Sequence, residues 1–423
     1  MKPQDIPFIP RHVVLRRYEE INIIDLKADE SYVIDDEAYS VLKLIDGELS
    51  NGEIIDTYPE AKKQEVSEAI KDFHELEIVN FSPTKITDKA LISVDHINIP
   101  EKNAFDLPHM KNLMINLTEK CNLTCKHCYI TDKNPVDFPF ENLKKIISEF
   151  YELQGLKLVL TGGEPLLYSP LKELLVFLKD IPLMKIMLSN GILFKENPEL
   201  IGLLSDNYFE TFISIDGLEE THNDFRDANC YKDTLESIKL LIKKGITVSI
   251  NTMVHKQNLN EFDEMYKLFQ SLEKIKNWSI DIPTFDKTTP QAIREKYEIT
   301  SEEGGQILND YGWGEYINIA SRSDLACGPN IIAIDVLGVV TKCGFFYDEN
   351  VGSVLEIGLK KSWELIQKQL NWKISDLECF KLNCEHLDAC RGGCRYRAYQ
   401  ATGNVLGVDS YKCAQFGKTE FLK

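Results

Sequence analysis

Three cysteines, Cys121, Cys125 and Cys128, fall within the stretch EKCNLTCKHCY (Glu119 to Tyr129) with the spacing CX3CX2C. Spacing this close lets one loop wrap several sulfurs around a single inorganic centre. Structural zinc takes four ligands. The nearest fourth candidate, His127, adjoins Cys128 and is expected to point away from the shared centre. A 4Fe–4S cluster held by three thiolates leaves one iron open to an outside ligand. On spacing alone both readings stand.

Seven more cysteines crowd the last hundred residues: Cys327-X10-Gly338-X4-Cys343, then Cys379-X4-Cys384-X5-Cys390-X3-Cys394, then Cys413. Two 4Fe–4S clusters take eight cysteines. Seven would leave one iron to water, to a protein oxygen or nitrogen, or to a substrate thiolate. A pair of zinc knuckles is the alternative. Cys230 belongs to neither group and reads as a packed thiol, with hydrogen-atom donation as its sharper alternative.

The bulk numbers limit the setting of this chemistry. The 423 residues exceed what one core usually covers, and 43% hydrophobic with 27% charged residues is ordinary for a folded protein. No apolar run approaches the roughly 18 residues of a membrane span, and the N-terminus lacks the pattern of a secretory signal. A cytoplasmic protein with no membrane partner is expected, and in a reducing compartment eleven cysteines favour metal or redox chemistry over disulfides. The net charge of −19 would repel phosphate backbones, so nucleic acid is not expected as a partner.

The elements that must position the cysteines divide the chain in three. Residues 1–95 carry 21 Asp and Glu against 11 Lys and Arg, about half of the net charge. Short β-like runs (HVVLRRY, INIIDL) precede helical periodicity at Val41, Leu44 and Ile45 and at Val66, Ile70 and Phe73, with EIVNF (Glu77 to Phe81) as a closing wing strand. This predicts a small winged-helix-like module. Over 105–300, apolar runs alternate with amphipathic helices: LMINL, LKLVL, KIMLS, TFISI, ITVSI and WSIDI. Repeated β-α units predict a parallel sheet with right-handed crossovers, here a partial six-stranded barrel. The motifs NLTEKC, TGGEP, SNG and SIDG then fall at the C-terminal ends of the first four strands, where such barrels place their sites. Over 310–423 the alternation fades into Gly, Cys and short turns, as in a segment held by metal.

CX3CX2C after the first strand, followed by Tyr129, resembles the loop of the radical S-adenosylmethionine (SAM) enzymes. The resemblance implies a partial (β/α)6 radical SAM barrel whose cluster binds SAM through its open iron. Gly162 and Gly163 of TGGEP would expose backbone to the ligand, and Glu164 would accept from the SAM ammonium. Ser189, Asn190, Ser214 and Asp216 would lie along the ribose and methionyl portions, and Arg226 of HNDFRD would pair with the carboxylate. The late cysteines, with CRGGCR, are similar to the SPASM extension of these enzymes. That implies a first auxiliary cluster on Cys327, Cys343 and Cys394, and a second on Cys379, Cys384, Cys390 and Cys413. In the usual SPASM pattern two residues separate the first pair of that second set. Here four separate Cys379 from Cys384, which puts Cys379 in question.

Residues 10–82 resemble the peptide-recognition module of ribosomal-peptide maturation, similar to the small peptide chaperone of pyrroloquinoline-quinone biosynthesis. In that family the leader pairs as an added strand. Here INIIDL or its neighbour, with the helix near Lys62 to Leu76, would form the groove. The three resemblances imply a radical SAM enzyme with three 4Fe–4S clusters. Its partners would be a precursor peptide with a leader and an electron donor such as flavodoxin or ferredoxin. The product is expected to be a thioether from a peptide cysteine to a carbon of another residue. Carbon–carbon crosslinking, epimerisation and formylglycine formation in a sulfatase are the enzymatic alternatives, and a peptide-binding scaffold without turnover is the other.

Overall fold

The computed structural model describes residues 2–28, 30–88, 92–93, 99–100, 108–130, 133–285, 289–313, 324–346 and 349–418. The expected boundaries at residues 95 and 105 lie outside them. The chain divides into two compact units. The first is Met1–His109 with the short segments Tyr151–Leu156 and Asp180–Met184, and the second is the remainder.

In the first unit, β1 (Ile6–Phe8) pairs antiparallel with β5 (Asn80–Ser82), so the strand expected from EIVNF starts three residues later than predicted. β2 (Val13–Arg17), β3 (Ile21–Asp25) and β4 (Glu30–Ile34) form an antiparallel sheet in that order. Three helices follow, Asp36–Leu42, Asn51–Asp56 and Lys63–Glu75. Asp35 caps the first, and a Ser50–Glu53 capping box starts the second, satisfying N–H groups that a helix start leaves orphaned. Val66, Ile70 and Phe73 face inward at helical spacing and join Val13, Leu15, Ile21 and Ile23 in one core. Each buries a side chain worth about 1.5–3 kcal/mol. Arg16, fully buried, donates to the carbonyls of Gly155 and Pro182 inside this same unit.

Among the described residues the second unit is built on a sheet of nine strands. Six run parallel in sequence order: β6 (Asn112–Asn116), β7 (Lys157–Thr161), β8 (Met184–Ser189), β9 (Phe209–Ser214), β10 (Thr247–Met253) and β11 (Ile275–Asp281). They are the six runs expected from the sequence. Burial is complete in β7 and continuous over four residues of β6, as in strands covered on both faces, and falls off at the edge strand β11. Amphipathic helices return the chain between them. In Phe140–Glu152, for example, Leu143, Ile146, Ile147 and Phe150 are buried at three- and four-residue spacing.

The sheet does not end at β6. β12 (Ile331–Ile334) adds to its free side in parallel, and β13 (Val339–Thr341) and β14 (Asn350–Ser353) continue antiparallel. The expected end of regular alternation near residue 300 therefore conceals a seventh parallel strand. It is four residues long, too short for periodicity to register. Beyond it, short helices hold the late cysteines around a small apolar cluster of Ala326, Leu377, Cys379 and Leu387. A larger anchor is the helix Leu359–Gln369, with Trp363 and Ile366 fully buried.

Candidate active site

The loop leaving β6 carries the first three cysteines, and two neighbouring segments fix it. On one side it meets the end of helix Glu219–Arg226. Thr124 Oγ1 donates to Asp227 Oδ2 at 2.9 Å, Lys126 Nζ lies 2.7 Å from Asp227 Oδ1, and the Lys126 N–H donates to the Phe225 carbonyl at 3.0 Å. Asp227 holds this place with φ of 59° at the helix C-cap. The His127 ring stacks on Phe225 at 4.4 Å and 7°, and Phe225 stacks in turn on His255 at 3.9 Å. His127 thus packs as an aromatic plate, and burial pushes its pKa down to about 3, keeping it neutral.

On the other side lies TGGEP. A Cβ at Gly162 would stand 2.4 Å from the Thr118 carbonyl oxygen, and one at Gly163 only 2.2 Å from that of Lys120. Gly162 also has φ of 134°, which L side chains rarely adopt. The two glycines let the loop after β7 lie directly on the cysteine loop, and the Gly163 N–H donates to the Thr118 carbonyl at 2.7 Å. The pair thus permits a close approach of backbone to backbone. Gly163→Ala is expected to cost about 1–3 kcal/mol or more by forcing these loops apart, seen as a lower thermal midpoint. An unchanged midpoint would mean that the loops part freely.

Glu164 is buried at 1% exposure. It accepts from Ser189 Oγ at 2.9 Å, from the Asn190 N–H at 2.9 Å and from the Leu166 N–H at 3.2 Å. Asn190 Nδ2 donates to Asn122 Oδ1 inside the cysteine motif at 2.8 Å. The ends of β6, β7 and β8 are thereby tied into one polar network. Burial pushes Glu164 up to about 7 in spite of its three donors. An ammonium ligand beside it would hold it ionised.

Asp216 and Arg226 form a buried ion pair, Nε to Oδ2 at 2.5 Å. Every polar atom of Asp216 is engaged. Oδ1 accepts from the Met253 N–H at 2.8 Å, the carbonyl accepts from His255 Nε2 and Asn258 Nδ2, and the N–H donates to His222 Nδ1. Burial acts to raise the Asp216 pKa, and Arg226 with its neighbours outweighs it, leaving the carboxyl at about 2. Arg226 Nη1 reaches Cys125 Sγ at 3.6 Å. Lys133 Nζ donates to Cys128 Sγ at 2.9 Å. Tyr129 meets Asn116 at the end of β6, and Ser214 ends β9, paired with Asn251 of β10. His222 Nε2 lies 3.5 Å from Cys230 Sγ, and burial pushes that thiol up to about 11, so it stays protonated. Asn122, Lys133 and Asp227 were not among the expected site residues. Asn122 lies within the motif itself, and the other two carry no signal beyond nearness to it.

The late cysteines gather in two places. The Cys327 and Cys394 thiols lie in mutual contact, and Cys343 is close enough to Cys327 to interact with it electrostatically, beside the buried Lys342. Cys379, Cys384, Cys390 and Cys413 line one pocket together with His386, Asp409, Lys412 and Lys418. These are the two sets implied by the resemblance, and Cys379 lies with the other three in spite of its spacing. A second glycine pair serves this pocket. In helix Ser301–Asp310, a Cβ at Gly304 or Gly305 would collide with Tyr411 or Ala414, so the pair lets the helix Ser410–Gln415, which carries Cys413, pack closely. Among the described residues no three His, Cys, Asp or Glu side chains converge as they would on one metal ion. In a four-iron cluster each thiolate bonds its own iron, so its sulfurs need not meet at a point.

Residues 115–269 match the Radical SAM superfamily, and the chain thus carries a radical SAM domain over the strands that frame this site. The superfamily implies SAM and a 4Fe–4S cluster, and a trio of thiols on one buttressed loop is a donor set that fits the cluster. An AdoMet-dependent heme synthase from Methanosarcina barkeri is 27% identical over 345 residues, covering 71% of this chain and 96% of that protein. The mycofactocin maturase MftC of Mycolicibacterium smegmatis is 25% identical over 323 residues, 71% of this chain and 81% of its own. Streptococcus suis SuiB, solved bound to the precursor peptide SuiA, has the same fold, with a TM-score of 0.62 at 14% identity over 93% of this chain and 96% of that one. No helix among the described residues is long and apolar enough to cross a membrane.

Proposed function

We infer that the protein is a radical SAM enzyme that modifies a ribosomally made precursor peptide. The observation that carries this reading is the convergence at the C-terminal ends of β6 to β9. There the cysteine loop, the buried Glu164 network and the Asp216–Arg226 pair meet. Cys121, Cys125 and Cys128 would hold the cluster, Glu164 with Ser189 and Asn190 would hold the ammonium end of SAM, and Tyr129, Ser214 and Asp216 would shape the rest of its site. The Arg226 Nε is taken by Asp216 and Nη1 by Cys125, so Nη2 is the atom that would meet the SAM carboxylate. When bound, the cluster and SAM supply a 5′-deoxyadenosyl radical. The chain's own residues place the cofactor and exclude water from it.

Cys379, Cys384, Cys390 and Cys413 would carry one auxiliary cluster, and Cys327, Cys343 and Cys394 a second with one iron lacking a cysteine. In thioether formation a C–H and an S–H of the peptide give way to one C–S bond. One hydrogen would leave in 5′-deoxyadenosine and the other as a proton, and an auxiliary cluster held by the late cysteines would supply the acceptor for the remaining electron. A flavodoxin or ferredoxin would supply the starting electron.

The first unit supports a peptide substrate. INIIDL is β3, the central strand with β2 and β4 on its two sides, so the leader would add to a neighbour, and of the two edge strands β4 is the more exposed. Val33 of β4 is 58% exposed, while Tyr32 and Ile34 pack on the core. Anchoring there would raise the effective concentration of the attached core segment.

A heme-type substrate is the second reading, favoured by the M. barkeri relative. Matching 71% of this chain uses 96% of that protein, so almost none of it remains to match the other 29%. The SuiB fold spans 93% of this chain.

Anaerobic incubation of the reconstituted enzyme with SAM, reductant and the precursor peptide tests the reading. A leader-dependent product about two mass units lighter, with its cysteine resistant to alkylation, is expected. D-residues at unchanged mass, an alkylatable crosslinked cysteine, or leader-independent formylglycine would each replace the thioether by the corresponding alternative. Consumption of a porphyrin instead of the peptide would install the second reading, and peptide binding without 5′-deoxyadenosine would leave only a scaffold.

A further inference from the structure

Two of the three cysteines in the β6 loop face a cation, and the two cations are held very differently. Arg226, buried and tied to Asp216 at 2.5 Å, donates to Cys125 Sγ at 3.6 Å. Its charge is largely balanced by a carboxylate that Met253, His222, His255 and Asn258 all hold in place. Lys133, part-buried, donates to Cys128 Sγ at 2.9 Å. Among the described residues no carboxylate lies within ion-pair distance of its ammonium, and its contact with sulfur is the shorter of the two. Cys121 has a backbone donor, the N–H of Leu123, and lies within the field of Lys133 with no direct hydrogen bond from a cation among the described residues.

Hydrogen bonds to the sulfurs and the net charge nearby are the main protein levers on an iron–sulfur reduction potential. Both stabilise the added electron by meeting charge that reduction places on the thiolates. We propose that Lys133 and Arg226 are positioning residues that set the potential of the cluster on Cys121, Cys125 and Cys128. Lys133 supplies the larger part, and Asp216 moderates Arg226. The inference rests on the cluster assignment given above and goes beyond it in naming what tunes that cluster.

The test is an anaerobic redox titration of the full reconstituted enzyme without SAM, followed by electron paramagnetic resonance. The relevant cluster is identified as the one whose signal changes when SAM is then added. Lys133→Met is expected to keep the iron content and move the midpoint to a more negative value, with Lys133→Arg restoring it. Arg226→Gln is expected to move it in the same direction by less. Asp216→Asn, which unmasks the arginine charge, is expected to move it the opposite way. A merely structural role would not produce shifts of opposite sign. Full iron content with an unmoved midpoint in Lys133→Met overturns the inference and leaves the cluster assignment standing. If Arg226→Gln loses the cluster, the Lys133 pair of variants still decides. Absence of any signal that responds to SAM overturns the assignment and the inference together.

Discussion

Replacing Cys121, Cys125 and Cys128 together by alanine is expected to lower the iron of the reconstituted protein from about twelve to about eight per chain and to abolish 5′-deoxyadenosine formation. The arithmetic follows from the separation of the cysteines in space. The three lie on the β6 loop, while the other seven implicated cysteines gather at two places beyond residue 325. Removing one site should leave the other two loaded. Iron and sulfide analysis with chromatography of the nucleoside reads both quantities. Iron falling to near zero would show that the late sites depend on the first, and zinc in place of iron would overturn the cluster chemistry altogether.

The largest effect on stability is expected at Asp216. Its carboxylate is 0% exposed and faces Arg226, itself buried, so Asp216→Ala leaves a guanidinium with no counter-charge and the Met253 N–H with no acceptor. Breaking a buried pair from one side costs about 3–5 kcal/mol. For a unit of this size that is a drop on the order of ten degrees in thermal midpoint. The pH dependence has a definite sign. The folded-state pKa, about 2, lies below the ordinary value of 3.8, so the stability from this carboxylate is complete above about pH 4 and is lost as pH falls toward 2. Thermal unfolding of wild type and Asp216→Ala across that range should converge at its acid end. Parallel curves would show that the pair contributes nothing through ionisation.

Much of this architecture was legible in the residues, and the illegible parts have physical causes. The six parallel strands announce themselves because each is an apolar run of five or more residues set between amphipathic helices. β12 escapes because four residues give no period to read. The sequence marked the Gly162–Gly163 pair, yet its reason, backbone packed on backbone across about forty residues of chain, exists only in three dimensions. Lys133 and Asp227 look like any surface charge until the fold brings them to Cys128 and Thr124. The doubt over Cys379 came from counting residues. The extra two are absorbed in the helix Glu378–Lys381 and the left-handed Asn383 that follows it, and the thiol still reaches the pocket.

The contrast between the tight first trio and the scattered later thiols bears on the order in which the protein could be loaded with iron. On the ligand assignment proposed above, the first site closes a loop of eight residues, Cys121 to Cys128, whereas the later ones must bring together Cys327 with Cys394 and Cys379 with Cys413. Loop closure costs about 0.6 kcal/mol per doubling of length, so the longest of these starts about 2 kcal/mol behind. The Cys379–Cys413 site also waits for helices packed through glycines at 304 and 305. A chain emerging from the ribosome would complete its SAM-cluster ligands some two hundred residues before the first auxiliary ligand is made. Iron scarcity during synthesis would therefore fall first on the auxiliary sites, giving molecules able to cleave SAM but unable to pass on the electron left by the product.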